Sequence, residues 1–107
     1  MINQVVLTGR LVDGPILEET ENGKKNTTII LAVSRNYKNL NGEYEIDFIP
    51  IKLFYQISES ICEYCEKGDL VGVSGRISRL SNNDMQIIGE KVSFLANGRK
   101  VEKNNYE

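Results

Sequence analysis

The chain has 107 residues, enough for one domain with its own hydrophobic core. Its 13 Lys and Arg against 15 Asp and Glu give a net charge of −2, so an anionic partner would have to meet a local basic patch. Histidine is absent, which removes the commonest general base and the commonest metal ligand. No stretch approaches the roughly 18 apolar residues of a membrane span, and the N-terminus lacks the pattern of a signal peptide. We therefore expect a cytoplasmic protein without a membrane partner.

The N-terminal segment alternates between apolar and polar side chains. Val5, Leu7 and Leu11 share one face with Gly9, which predicts a strand over residues 3–11. A glycine inside a strand indicates a bulge or a close backbone approach, as at a barrel corner. A second alternating segment, residues 27–35, lies between two Asn-Gly dipeptides at residues 22–23 and 41–42, and each dipeptide predicts a hairpin turn.

The third predicted strand, residues 44–55, has two different faces. Aliphatic side chains at positions 49, 51 and 53 form one face, which we expect to be the inner one. Phe48, Lys52 and Phe54 lie on the other face, with Pro50 among them. Because proline cannot donate to a ladder, Pro50 indicates an edge or a bulge.

A helix is predicted over residues 58–66, with Ser58 as its N-cap and an apolar stripe at positions 57, 61, 64 and 65. Lys67 and Gly68 are expected to end it. Two more strands follow, residues 69–79, with Val71, Val73 and Ile77 inward, and residues 85–95, joined by a turn over residues 81–84.

This order predicts an all-β protein, a five-stranded OB-fold barrel with one short α-helix between strands 3 and 4. Such barrels bind oligonucleotides or oligosaccharides. We assign residues 1–96 to the OB-fold domain and residues 97–107 to a short polar C-terminal tail.

Six short motifs occur in order over residues 3–95. They are NQVVLTGRL at residues 3–11, LAVS at 31–34, GE at 42–43, DFI at 47–49, KG at 67–68 and GVSGRI at 72–77. Their order and spacing together resemble those of the bacterial single-stranded DNA-binding proteins. It implies a homo-oligomer, a tetramer or a dimer, that wraps single-stranded DNA around its outside.

The resemblance also implies which aromatic residues stack on bases. Three of the family's four positions are occupied here, by Tyr37, Phe48 and Phe54, whereas Asn82 stands at the fourth. Stacking is worth about 1–3 kcal/mol per base, so we expect weaker binding rather than none. The alternatives are that the two phenylalanines belong to the core and that Tyr37 is a surface anchor.

Six cations could follow the nucleic-acid backbone: Arg10, Arg35, Lys38, Lys52, Arg76 and Arg79. Taken singly, each is equally a solvated surface charge. Glu18 and Glu19 replace a basic and an aromatic residue that are common in the family, and Pro50 stands where a basic residue is frequent. These departures weaken the electrostatic attraction that we expect.

Cys62 and Cys65 form a C-x-x-C motif near the end of the predicted helix. Zinc would need two further ligands, and redox pairs lie at helix N-termini, so we interpret both cysteines as packing residues. We find no catalytic constellation and expect neither enzymatic activity, a cofactor nor a metal.

The leading hypothesis is single-stranded DNA binding without sequence preference, in replication, recombination or repair, with a nucleoid-associated location. The alternative is a protein-interaction module whose partners are replication, recombination or primosome proteins and which binds nucleic acid weakly; RNA binding is a third possibility. The chain ends in KVEKNNYE, without the acidic tail of cellular family members. The resemblance therefore points to a short paralogue, to a protein of a mobile element or phage, or to a truncated chain.

Overall fold

The structure, a computed structural model, describes residues 1–98 and contains six strands and one helix. They are β1 (Val5–Leu11), β2 (Glu18–Glu19), β3 (Lys25–Lys38), β4 (Tyr44–Phe54), α1 (Tyr55–Tyr64), β5 (Leu70–Arg79) and β6 (Met85–Ala96). The two-residue β2 pairs only with the start of β3. The other five strands close a barrel in the order β1-β5-β6-β4-β3, and β3 pairs again with β1. The predicted OB-fold barrel, with its helix between the third and fourth barrel strands, is confirmed.

The core is formed by the inward faces of the strands together with one helix residue. Its fully buried apolar members are Leu11, Ile29, Leu31, Ile51, Leu53, Ile61, Val71 and Val73. The period-two alternation predicted most of these positions. Gly9 confirms the predicted close approach, because a Cβ there would lie 2.6 Å from the carbonyl oxygen of Ala32 on β3.

The three tight hairpin loops share one hydrogen-bond pattern. In each, the first loop residue exchanges backbone hydrogen bonds with residues three and four positions later; these first residues are Thr20, Asn39 and Leu80. The fourth residue of each loop has a positive φ, and it is Gly23, Gly42 or Asn83. The two predicted Asn-Gly hairpins and the predicted turn at residues 81–84 are confirmed.

The helix differs from its prediction at both ends. It begins at Tyr55, directly after β4, so Ser58 lies inside it and donates a 2.6 Å hydrogen bond to the Tyr55 carbonyl instead of capping the helix. The chain turns without a loop because Tyr55 adopts φ 55°. The helix ends at Tyr64 because Cys65 is extended. Gly68 has a positive φ, but it lies in the following turn, where its N–H donates to the Leu11 carbonyl.

Two residues predicted to face inward are exposed. Tyr64 is 72% exposed, because the buried side of α1 runs through Ser58, Ile61 and Cys62. Ile77 is 45% exposed, because it lies beyond Gly75, where the pairing of β5 with β1 ends. In both cases the apolar periodicity of the sequence extends beyond the part of the element that packs against the core.

The C-terminal end of the barrel is tied to the turn before β5. Strand β6 ends at Ala96, and the N–H of Gly98 donates a 3.1 Å hydrogen bond to the buried carboxylate of Asp69. Most of the predicted tail, residues 99–107, lies outside the described residues.

Candidate nucleic-acid interface

The outer face of β4 carries the aromatic residues that the sequence singled out. Its side chains alternate with the buried Ile51 and Leu53, so Phe48, Lys52 and Phe54 point outward together. Phe48 is 64% exposed, whereas Phe54 is half-buried. The alternative that both phenylalanines belong to the core does not hold for Phe48.

Strand pairing extends this face across the barrel. Lys52 is opposite Thr28 on β3 and beside Ile88 on β6, and Ile88 is opposite Arg76 on β5. Directly paired residues share a face of a sheet. Arg76 therefore lies in the same row as Lys52, two strands away, although its Nε is 3.3 Å from the carboxylate of Glu90.

Lys52 is held in place by neutral partners. Its Nζ donates to Asn26 Oδ1 at 2.8 Å and to Thr28 Oγ1 at 3.4 Å. Within residues 1–98 no carboxylate lies in salt-bridge range of this amino group. Lys52 also borders a groove of about 310 Å³ between β4 and the β5–β6 hairpin, which Pro50 lines as well. Its positive charge is thus positioned and not neutralised.

Pro50 lies on a part of β4 that has a single partner strand. It is opposite Ile30 on β3, whereas pairing of β4 with β6 begins at Ile51. This edge position is the one that the missing N–H of proline predicts.

Arg35 is neutralised by two carboxylates on the neighbouring strand. Its Nε and Nη2 donate to Asp47 at 3.1 and 3.0 Å, and its Nη1 donates to Glu45 at 2.8 Å. These hydrogen bonds raise the pKa of Arg35 and lower the pKa of Asp47. Asp47 alternates with Phe48, so Arg35 lies on the opposite face of the β3–β4 hairpin from that ring.

The β3–β4 hairpin carries two more exposed aromatic residues. Tyr37, 67% exposed, lies within β3, beyond the predicted strand end at residue 35, because β3 continues through a bulge between Ser34 and Lys38. Tyr44 was not predicted as a site residue, although counting residues outward from the Asn-Gly turn would have paired it with Lys38. The Lys38 amino group lies 5.8 Å from the centre of the Tyr44 ring, a cation–π contact.

The remaining predicted cations are more dispersed. Arg10 is in register with Ala32, which is opposite Phe48, but its guanidinium donates to the Gly68 carbonyl at 3.0 Å. Arg79 is exposed on the β5–β6 hairpin, three residues beyond Arg76 and therefore on its other face. The structure thus brings together Phe48, Lys52, Phe54 and Arg76, and it leaves Arg79 apart from them.

The loop between β5 and β6 offers no aromatic side chain. Asn82 is at its tip, where its carboxamide donates to the Asp84 carboxylate at 3.0 Å and accepts from the Asp84 N–H at 3.0 Å. Its polar groups are used within the loop.

The C-x-x-C pair packs against the core. Burial raises the pKa of the Cys62 and Cys65 thiols, and the charge of Asp69 raises that of Cys65 further. A raised pKa disfavours the reactive thiolate, which agrees with the packing role expected for both residues. No cluster of three potential metal ligands occurs within residues 1–98, and no helix there is long and apolar enough to cross a membrane.

Comparison with known proteins gives one consistent result. The model of the single-strand binding protein family matches residues 2–97. The chain belongs to this family. It is 46% identical over 81 residues to single-stranded DNA-binding protein B of Bacillus subtilis, an alignment that covers 76% of this chain and 72% of that protein. It is 35% identical over 103 residues to single-stranded DNA-binding protein 1 of Clostridium acetobutylicum, covering 88% and 94% of the two chains.

A third relative, single-stranded DNA-binding protein 2 of Staphylococcus aureus (strain COL), is 37% identical over 103 residues, covering 89% and 74% of the two chains. Membership of the single-strand binding protein family confirms the resemblance drawn from the motifs. Proteins of this family bind DNA and are not enzymes, which is what the motif resemblance implied.

Proposed function

We propose that the protein binds single-stranded DNA without sequence preference on the outer face of β4 and its neighbours. The observation that carries the proposal is the row of Phe48, Lys52 and Phe54, in which a cation that no carboxylate of residues 1–98 pairs with lies between two outward-pointing rings. Every base has a face on which an aromatic ring can stack, so such a row recognises single strands regardless of sequence.

The geometry of β4 fits an extended strand of several nucleotides. Phe48 and Phe54 are six residues apart on β4, about 20 Å along the strand at about 3.3 Å per residue. Two bases can therefore stack on the two rings while the backbone between them passes Lys52. Arg76 lies in the same row as Lys52, two strands away, and Lys38 and Tyr44 extend the path along the β3–β4 hairpin.

The test is a titration of fluorescently labelled poly(dT) with the Phe48→Ala variant. We expect affinity to fall by about 5- to 150-fold, because one stacking platform is worth about 1–3 kcal/mol. Phe48 is largely exposed, so the fold should persist, as circular dichroism can verify. Phe94→Ala is the matched control. Phe94 is an exposed phenylalanine like Phe48, but it lines the groove beside α1 and not the stacking row. Equal affinities for the wild type and the Phe48→Ala variant would overturn the proposed face.

We further propose that the protein works as a homo-oligomer, a tetramer or a dimer, in replication, recombination or repair. Exposed apolar side chains away from the stacking row, such as Val6 on β1, offer surface for contacts between subunits. Light scattering of the purified protein gives the mass directly. A monomer at all accessible concentrations would contradict this part of the proposal.

A protein-interaction module is the second candidate function. It is favoured by the ion pairs of Arg35 and Arg76, which weaken the field available to DNA, and by the exposed Ile46 beside Phe48. Pull-down from a nuclease-treated extract, combined with the poly(dT) titration, separates the two. Specific protein partners without measurable DNA binding would support this candidate over the first.

A further inference from the structure

Tyr55 has an unusual backbone conformation at the junction of β4 and α1. Its φ of 55° lies in the left-handed region, which a bulky L-residue rarely adopts. The side chain is 57% exposed. Within residues 1–98 its hydroxyl group makes no hydrogen bond, and its backbone carbonyl accepts from the Ser58 hydroxyl.

The fold does not explain an aromatic side chain at this position. Glycine would adopt the same φ without a steric cost, and asparagine with a smaller one. An aromatic ring can offset that cost by burying area in the core, but most of the Tyr55 ring is in solvent. Backbone strain that packing does not offset is concentrated at functional sites.

The ring of Tyr55 continues the aromatic surface that ends at Phe54. The two ring centres are 6.3 Å apart and the ring planes are inclined by 43°. Phe54 is the last residue of the stacking row on β4, so the next exposed ring along the chain directly adjoins that row. No other strand end of the described chain places two adjacent aromatic residues in contact.

We propose that Tyr55 is a further base-stacking residue, which receives the nucleotide next to the one on Phe54. This inference rests on the proposed binding of single-stranded DNA. It supplies a fourth aromatic platform in a chain whose β5–β6 loop, with Asn82 at its tip, has none. The ligand it takes is a nucleobase of any identity, because its only recognition element is the face of the ring.

The decisive variant is Tyr55→Gly, which removes the ring and relieves the strained φ. We expect unfolding by urea to require at least as much denaturant as in the wild type. We expect poly(dT) affinity to fall by about 5- to 150-fold, the loss typical of one stacking platform. Tyr55→Phe keeps the ring and should bind as tightly as the wild type. A stable Tyr55→Gly variant that binds poly(dT) like the wild type would overturn the proposal.

A spectroscopic test reports contact directly. The chain has no tryptophan, so Tyr55→Trp introduces the only indole, and its fluorescence should be quenched when poly(dT) is added. Tyr64→Trp is the matched control, because Tyr64 is exposed on the same helix. It lies nine residues after Tyr55 and therefore on the opposite side of the helix. Quenching of Tyr55→Trp but not of Tyr64→Trp supports stacking at Tyr55, whereas equal responses overturn it.

The failure of this inference is distinguishable from failure of the proposed function. If the wild type does not bind poly(dT), both fail together. If the wild type binds and loses affinity with Phe48→Ala but not with Tyr55→Gly, only the role of Tyr55 is wrong. A change of mass in light scattering of the Tyr55→Gly variant would instead assign the ring to a contact between subunits and would also overturn the proposal.

Discussion

Lys52 offers the sharpest electrostatic prediction. Replacing it by glutamine removes one positive charge from the middle of the stacking row, where no carboxylate in the described part of the chain neutralises it. Each phosphate contact to a single strand contributes about −0.7 to the slope of log K against log salt concentration. We therefore expect the slope for Lys52→Gln to be about 0.7 shallower than for the wild type. Between 50 and 200 mM salt, the wild type should lose about 2.6-fold more affinity than the variant.

The matched control is Arg35→Gln, which changes the charge equally at a guanidinium that two carboxylates already hold. Its slope should equal that of the wild type. The fold should tolerate Lys52→Gln, since losing the hydrogen bond to Asn26 costs about 0.5–1.5 kcal/mol. The assay is a poly(dT) titration at several salt concentrations, with urea unfolding as a check. A Lys52→Gln slope equal to that of the wild type, or an equal change from Arg35→Gln, would refute the reasoning.

Three further predictions concern the fold. Gly9→Ala should lower the free energy of unfolding by about 1–3 kcal/mol in urea titrations, because its Cβ would be 2.6 Å from a carbonyl oxygen of β3. Asn3→Ala should cost about 1–2 kcal/mol, since the Asn3 carboxamide exchanges two hydrogen bonds with the backbone of Ile77; an unchanged urea midpoint would contradict this. Burial raises the pKa of the Cys62 and Cys65 thiols, so their contribution to stability is present below the ordinary thiol pKa near 9.0 and is lost as pH rises above it. Thermal unfolding from pH 8 to 11 should show a decline that substituting both cysteines by alanine reduces.

The barrel could be predicted from local rules because each rule is decided within a few residues. Alternation set the inner faces of β1, β3 and β4, and the Asn-Gly dipeptides set two of the hairpins. The outward position of Phe48, Lys52 and Phe54 followed from the same alternation, because the side-chain period of a strand is two.

What the sequence could not predict depends on where one element ends relative to another. Ile77 belongs to the inward set by alternation, but it is exposed because the pairing of β1 with β5 stops at Gly75. The helix begins at Tyr55 because this residue has a positive φ. Tyrosine rarely adopts a positive φ, so the sequence around it gave no indication of this start.

The candidate site shows the same limit. The ion pairs of Arg35 depend on cross-strand neighbours, and a bulge between Ser34 and Lys38 shifts the pairing in that hairpin. Residue counting from the turn at Asn39 would have found the contact of Lys38 with Tyr44 but not the bulge. Sequence reasoning therefore identified the cations but not which of them are free of carboxylates.

The central claim is that the outer face of the barrel binds single-stranded DNA through a few aromatic rings and a few cations that no described carboxylate neutralises. The most direct measurement is a poly(dT) titration of the wild type at 50 and 200 mM salt. Binding should be evident at micromolar protein at the lower salt, and the slope of log K against log salt concentration should be negative, because each phosphate contact contributes about −0.7. Absence of binding at micromolar protein in low salt, or an affinity indifferent to salt, would contradict the claim.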